Sequence, residues 1–256
     1  MRYLLGLLLL IAVLTGCNSH NSGKEAVFEK STNDPQAIID KAIAAHGGDK
    51  FLQLQVAFDF RDKHYEASRQ DGLYSYTRSF TDSTGQVKDV LTNKSFTRTI
   101  NGQVKDLPAE RVKAFSASVN SVIYFALLPF GLNDPAVQKQ YLGSATIKQI
   151  PYHKIKVTFK QEGGGTDFQD EFLYFINQKS FTMDYFAYTY VTDGGGIRFR
   201  QAINPRKVEG ILFQDYINFE PLDTINFWKI EQAFTADQLK ELSNIELKNI
   251  RINILH

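Results

Sequence analysis

The chain has 256 residues, 43% of them hydrophobic, which is enough for one large domain or two small ones with a proper core. Its 29 Lys and Arg almost cancel 28 Asp and Glu, so nothing in the charge balance favours a polyanion such as nucleic acid as partner. Phe (20) and Tyr (12) are abundant beside a single Trp, a balance that suits strands and apolar cavity walls better than coiled helices.

Met1-Arg2 opens a short basic segment, Leu4 to Leu14 is an apolar run too short to span a bilayer comfortably, and Leu14-Thr15-Gly16-Cys17 follows at once. These four residues resemble the bacterial lipobox, in which the peptide is cut before the cysteine and the cysteine is acylated. The resemblance implies that residues 1–16 are a signal peptide and that Cys17 is the lipidation site. An ordinary secretory signal or a retained membrane anchor is the alternative. Cys17 is the single cysteine, so its acylation leaves no thiol for catalysis and no disulfide within the chain. Residues 17–33 are polar and weakly patterned, as a lipidated tether would be, and 34–256 read as one β-rich domain. By resemblance to lipoprotein sorting, Asn18 after the cysteine favours the outer membrane, facing either the periplasm or the exterior.

In chain order, the first helix is expected from Pro35 to His46. Asn33 or Asp34 caps it, Ile38, Ala42 and Ala45 share a face, and Gly47-Gly48 ends it. Val56 to Arg69 reads as one strand, followed by a meander over Gly72 to Asp82, Gln86 to Asn93 and Ser95 to Ile100, with Asn101-Gly102 the strongest hairpin turn. The period then changes. Val112, Phe115, Val119, Val122, Ile123 and Ala126 recur at helical spacing between Pro108 and Leu128. The second half of that helix is apolar nearly all round, including Tyr124 and Phe125, so it is either a core helix or a cover over a greasy opening hinged at Pro129 and Gly131.

A short helix is expected over Asp134 to Tyr141, then strands at Ser144 to Ile150, His153 to Gln161, Gln169 to Asn177 and Ser180 to Thr192. Ile197 to Glu220 reads as a long hairpin. Gly163-Gly164-Gly165 and Gly194-Gly195-Gly196 lie between strands, with no helix start and no Lys-Ser/Thr behind them, so neither reads as a phosphate loop. Thr235-Ala-Asp-Gln238 has capping-box spacing for a helix through Leu242, and Asn244 to Leu255 reads as a final strand.

Ala45-His46-Gly47-Gly48, Tyr185-Phe-Ala-Tyr188, Arg198-Phe-Arg-Gln-Ala202, Asn204-Pro-Arg206 and Gly210-Ile-Leu-Phe-Gln-Asp-Tyr216 together resemble an uncharacterised family of bacterial lipoproteins. The resemblance covers most of residues 34–220. Such chains are similar to the LolA-like lipoprotein-sorting fold, and that similarity rests on the helix with its Gly-Gly end, the meander and the interposed apolar helix. The implied fold class is mainly β (α+β), a strongly curved antiparallel half-barrel with two or three helices over its concave side and an apolar cavity beneath them.

The residues offer few signs of chemistry. Asp62, His64 and Glu66 alternate on one strand face, with Asp59 and Arg61 assigned to the other, a spacing that serves a metal or a solvated face. His46 suits either a site beside Gly47-Gly48 or the carbonyl end of its helix. Arg198 and Arg200 share a face, with Tyr188 and Asp184 on the preceding strand. They either meet an anionic head group inside the cavity or pair with Asp184, Asp170 or Glu171 on the outside. Asp215 is in step with Ile211, Phe213, Ile217 and Phe219; if that set faces inward, the carboxylate goes with it and needs an Arg or Tyr partner. No Gly-x-Ser-x-Gly, His-Glu-x-x-His or cofactor signature accompanies it.

The reading is therefore an acylated envelope lipoprotein that binds a hydrophobic or amphipathic molecule, a lipid or acyl chain, with no metal or cofactor. Tyr124, Phe125, Tyr188, Arg198, Arg200 and Asp215 are its candidate ligand contacts. A structural or partner-binding envelope component is the alternative, and a hydrolase or isomerase using Asp215 with an arginine or His46 is a third class.

Overall fold

The computed structural model describes residues 33–165, 168–191 and 194–255. The lipobox, Cys17 and most of the expected tether lie outside the described residues.

Helix α1 (Pro35–His46) begins where expected because the Asp34 side chain accepts from the Gln36 N–H at 3.0 Å and Pro35 occupies its first turn. The first antiparallel sheet follows as β1 (Leu54–Phe60), β2 (Lys63–Gln70), β3 (Leu73–Asp82), β4 (Gly85–Thr92), β5 (Phe96–Ile100) and β6 (Gln103–Val104). The stretch read as one strand from Val56 to Arg69 is thus two. The chain reverses at Arg61-Asp62 with Arg61 at φ 55°, a turn that carries no glycine to announce it. Asn101-Gly102 forms the expected turn between β5 and β6, both residues at positive φ.

Helix α2 (Ala109–Ala126) leads through a 3-10 turn (Phe130–Asn133) into the second sheet. That sheet comprises β7 (Val137–Ile147), β8 (Ile150–Phe159), β9 (Phe172–Asn177), β10 (Met183–Tyr190), β11 (Gly196–Val208) and β12 (Ile211–Pro221). The helix expected over Asp134 to Tyr141 is instead the start of β7, whose Val137, Lys139 and Tyr141 alternate with more exposed residues. Helix α3 (Ile230–Thr235), β13 (Leu239–Ile245) and β14 (Leu247–Ile254) complete the described chain. The capping-box spacing at Thr235 misleads: the Thr235 hydroxyl donates back to the Glu231 carbonyl at 2.8 Å, ending α3 where a helix was expected to begin.

The sheets run in the orders β14-β1-β2-β3-β4-β5-β6 and β13-β12-β11-β10-β9-β8-β7. Only Glu246 separates β13 from β14, so one sheet continues into the other there, and β6 and β7 are left as the far edges of an unclosed half-barrel. At that junction Leu247 opens β14 opposite Phe60 of β1, and its backbone is also held by side chains of the second sheet. Asp215 accepts its N–H at 3.0 Å, and Arg206 donates to its carbonyl at 2.6 Å. Asp215 and Arg206 are themselves 2.9 Å apart, a side-chain clasp across the point where one sheet passes into the other.

Three apolar clusters follow from this layout. Helix α1 packs Ile38, Ile39 and Ala42 on the second sheet beside Tyr174, Ile176 and Phe186. Helix α2 packs Val119 and Ile123 against the first sheet's Phe58, Tyr65 and Tyr76. Helix α3 covers the opposite face of the second sheet, where Phe234 stacks on Phe199 at 4.7 Å. Two helices therefore lie on the inner side and the third backs the sheet from outside.

Candidate functional site

Along β11 and β12 the side chains alternate between α3 and the interior. Ile197, Phe199 and Phe219 belong to the cluster under α3, whereas Arg198, Arg200, Gln214, Tyr216 and Asn218 face an open cavity. The cavity has a volume of about 1410 Å³ and lies between the inner faces of both sheets and one flank of α2. Its first wall carries Arg69, Tyr74 and Tyr76, and its second carries Phe159, Phe172 and Tyr188. Tyr124 and Phe125 enter from α2.

Aromatic rings organise the second wall. Phe125 stacks on Phe186 at 5.8 Å and lies 5.8 Å from Tyr188, which stacks on Phe172 at 5.4 Å. The Arg200 guanidinium sits among these rings, 4.5 Å from the centroid of Phe125 and 5.2 Å from that of Phe186, and donates to the Tyr188 hydroxyl at 3.0 Å. It makes no ion pair among the described residues. Arg198, one step along the same face, is held loosely by Glu220 at 3.5 Å. On the opposing wall Arg69 donates to the Tyr76 hydroxyl and lies over Phe130 at 4.7 Å. The cavity thus mixes aromatic rings with cations on both walls and with the carboxylates of Asp134, Glu162 and Asp170, and burial holds the phenols of Tyr124 and Tyr216 well above the ordinary tyrosine range.

Five of the candidate contacts come together here: Tyr124, Phe125, Tyr188, Arg198 and Arg200. Asp215 does not. Its set of residues is buried but does not line the cavity: Phe219 lies under α3, and Ile211 and Phe213 belong to the cluster of Phe51, Leu54 and the α2 residues Val119 and Ile123, so the carboxylate is carried into packing and not to the cavity. Both Asp215 oxygens are engaged at the sheet junction by Arg206, Asn204 and the Leu247 N–H, and the carboxylate is a clasp. Gln214, Asn218 and Arg69 were missed by sequence reasoning. Gln214 and Asn218 share the parity of Tyr216, so the position of Arg198 and Arg200 on the cavity face is the signal that would have found them.

The remaining candidates sit elsewhere. Asp184 bonds to the Tyr152 hydroxyl at 3.1 Å and to Asn177 and does not meet the arginines; Glu171 pairs with Lys156 at 2.7 Å. His64 lies across from Asp59 on the strand pair, not on the opposite face. Its Nδ1 is 2.6 Å from Asp59 and its Nε2 3.7 Å from Glu66, while Asp62 turns to Lys63. His46 is sealed in the core, where its Nε2 accepts from the Met183 N–H at 3.1 Å and burial lowers its pKa from 6.5 to about 4. It anchors α1 to β10 and has no access to the cavity lining.

A family model described as "Family of unknown function (DUF6503)" matches residues 4–247. The chain belongs to DUF6503. No curated protein matches this DUF6503 chain. Among solved structures it is similar to the LolA superfamily protein NE2245 from Nitrosomonas europaea, at 11% identity and a TM-score of 0.47, over 87% of this chain and 94% of that one. It is also similar to a DUF1329 family protein from Desulfovibrio piger, at 13% identity and a TM-score of 0.39, over 86% of this chain and 94% of that one. A third is the Mycobacterium tuberculosis lipoprotein LppX, at 14% identity and a TM-score of 0.27, over 62% of this chain and 88% of that one.

Proposed function

We propose that this DUF6503 chain is an acylated protein of the bacterial cell envelope that holds a lipid or acyl chain in the cavity between its sheets. The observation that carries the reading is the cavity itself. A space of about 1410 Å³ exceeds the roughly 300–1,000 Å³ of ordinary ligand pockets, and its walls combine aromatic rings with polar and charged side chains, Arg200 among the rings. Apolar walls recover free energy from a greasy ligand at about 0.8 kcal/mol per buried CH₂, so ten methylenes supply about 8 kcal/mol, the scale of a micromolar Kd before ordering costs. Arg198 and Arg200, on the second wall, would orient a charged head.

The lipobox supports the address. Removal of residues 1–16 and acylation of Cys17 would place the domain from residue 34 onward at the end of a short tether, with Asn18 favouring the outer membrane. Labelled palmitate should enter the wild-type protein and not the Cys17→Ala variant. To test carriage, cells producing the full chain are fed a photoactivatable fatty acid and the crosslinked peptides are mapped. Adducts within residues 116–131 or 186–218 support the reading; adducts confined to the peptide bearing Cys17 would refute it.

A further inference from the structure

Two large apolar side chains stand in solvent at one end of the first sheet. Leu52 is 52% exposed at the close of the 3-10 turn Gly48–Leu52, and Leu73 is 63% exposed at the start of β3. Strand pairing brings them together: Leu54 lies opposite Arg69 and Leu73 opposite Gln70, so both leucines fall beside the last residues of β2. The end of β14 joins them, where the Leu255 N–H donates to the Gln53 carbonyl at 3.0 Å. The order β14-β1-β2-β3 therefore gathers Leu255, Leu52 and Leu73 at the same end of four adjacent strands. This end is also a rim of the cavity, because Gly72, Tyr74 and Asn93 belong to its lining. Asn93 fixes the turn: its amide nitrogen donates to the Gly72 carbonyl at 3.0 Å and its oxygen accepts the Tyr74 N–H at 2.7 Å. Leu73 lies between two lining residues, and strand alternation turns it outward.

The turns at this end carry Asp49, Lys50, Asp71 and Lys94, whose charges cancel, so the tip selects neither an anionic nor a cationic partner. What it offers is apolar surface. The chain outside the described residues says what that surface meets. With Cys17 acylated, the 16 residues from Asn18 to Asn33 hold the domain within about 55 Å of the bilayer. Two leucines bind a lipid surface too weakly to retain a free protein, but a short flexible tether supplies an effective concentration on the order of millimolar, which is enough for a weak contact to be populated. From this arrangement we infer that the tip formed by Leu52 and Leu73 docks on the bilayer that holds the anchor. The leucines enter the head-group boundary and bring the Gly72-Tyr74-Asn93 rim of the cavity to the lipid surface. This rests on the acylated-carrier reading and adds which face of the domain meets the membrane.

The test uses the acylated full chain in vesicles of phosphatidylethanolamine and phosphatidylglycerol, some of them brominated near the head group to quench fluorescence. Acylation occupies Cys17, so an introduced cysteine is the single reactive thiol and takes an environment-sensitive dye. Lys94→Cys reports on the tip with both leucines in place, and Ser83→Cys reports on the turn at the other end of β3. The dye at position 94 should be quenched and the dye at position 83 should not. Adding Leu73→Asp should lower the docked population about tenfold or more, the effect of withdrawing one buried leucine, and bring the signal at position 94 down to that at 83. Leu52→Asp is the second variant and should act in the same direction; both side chains are exposed, so the fold does not depend on them. Equal quenching at the two positions, or quenching at 94 that survives both aspartates, would overturn docking while the chain still floats with the vesicles and carriage stands. A chain that does not float with the vesicles would overturn the anchor and docking together.

Discussion

His46 gives the fold a pH dependence that can be worked from its surroundings. The ring is 1% exposed, and its Nε2 is an acceptor for the Met183 N–H, so protonation would bury a charge and set one N–H against another. Burial lowers the folded pKa from 6.5 to about 4; the Leu212 backbone opposes only part of that shift, and Nδ1 makes no full hydrogen bond. The unfolded chain titrates near 6.5. Above that value neither state carries the proton and the contribution of His46 to stability is complete. Between 6.5 and about 4 the unfolded state takes up a proton that the folded state refuses, so stability falls with pH at about 1.4 kcal/mol per unit, for a total of about 3 kcal/mol.

The assay is urea unfolding at intervals from pH 7.5 to 4 for the wild-type protein and His46→Gln. The variant is less stable throughout, since it loses the shape and the Met183 partner, but it has no proton to gain at this position. Subtracting its curve from that of the wild type removes the titration of His64, His153 and the carboxylates. The difference should be constant above pH 7 and narrow by about 3 kcal/mol as pH 4 is approached. Parallel curves over the whole range would refute the assignment of His46 as a buried neutral acceptor.

Three further substitutions probe the frame. Asp89 is fully buried and bonded by Arg78 and Arg98 at 2.6 Å each, so Asp89→Asn should cost about 3 kcal/mol in urea unfolding, because it leaves two arginines facing a neutral amide. Asp215→Asn should cost less, about 1–2 kcal/mol, since its partner Arg206 is one-third exposed; lipid crosslinking should survive, because the residue is a clasp and not a contact. In Gly131→Ala the added Cβ would stand 2.4 Å from the Tyr124 ring, and the displaced ring should lower stability by about 1–3 kcal/mol and alter ligand crosslinking at residues 116–131.

The fold was legible wherever local chemistry and periodicity agreed. Asp34-Pro35 and Gly47 bound α1, Asn101-Gly102 turns β5 into β6, and the spacing from Val112 to Ala126 belongs to α2. It was illegible where a turn lacks its usual residue, as at Arg61, and where capping-box spacing occurs at the end of a helix, as at Thr235. The inward face of β12 was illegible for a different reason. That strand is covered on both sides, by α3 behind and by cavity aromatics in front, so apolar residues occur at both parities and hydrophobicity stops indicating direction. Only neighbouring strands resolve it: Arg200 pairs with Asn218, and Asp215 with Ile203, so the arginines and the carboxylate occupy opposite faces.

The same packing decides what α2 can do. Pro129 and Gly131 suggested a hinge, and a hinged α2 would be a lid. Gly131 is instead required by space, because the Tyr124 ring occupies the place of a Cβ. Along its length α2 is fastened to both walls. Ser118 accepts from Arg78 at 2.7 Å, Phe115 lies under the Arg98 guanidinium at 3.6 Å, Val119 and Ile123 are fully buried, and Phe125 is stacked on the second sheet. Lifting the helix would expose the Arg78-Asp89-Arg98 cluster and two apolar side chains, each worth about 1.5–3 kcal/mol in burial alone, before any compensation from a ligand. The helix is therefore a third wall, and under the proposed carriage a ligand would enter past its flank, where the space is already open between the sheets.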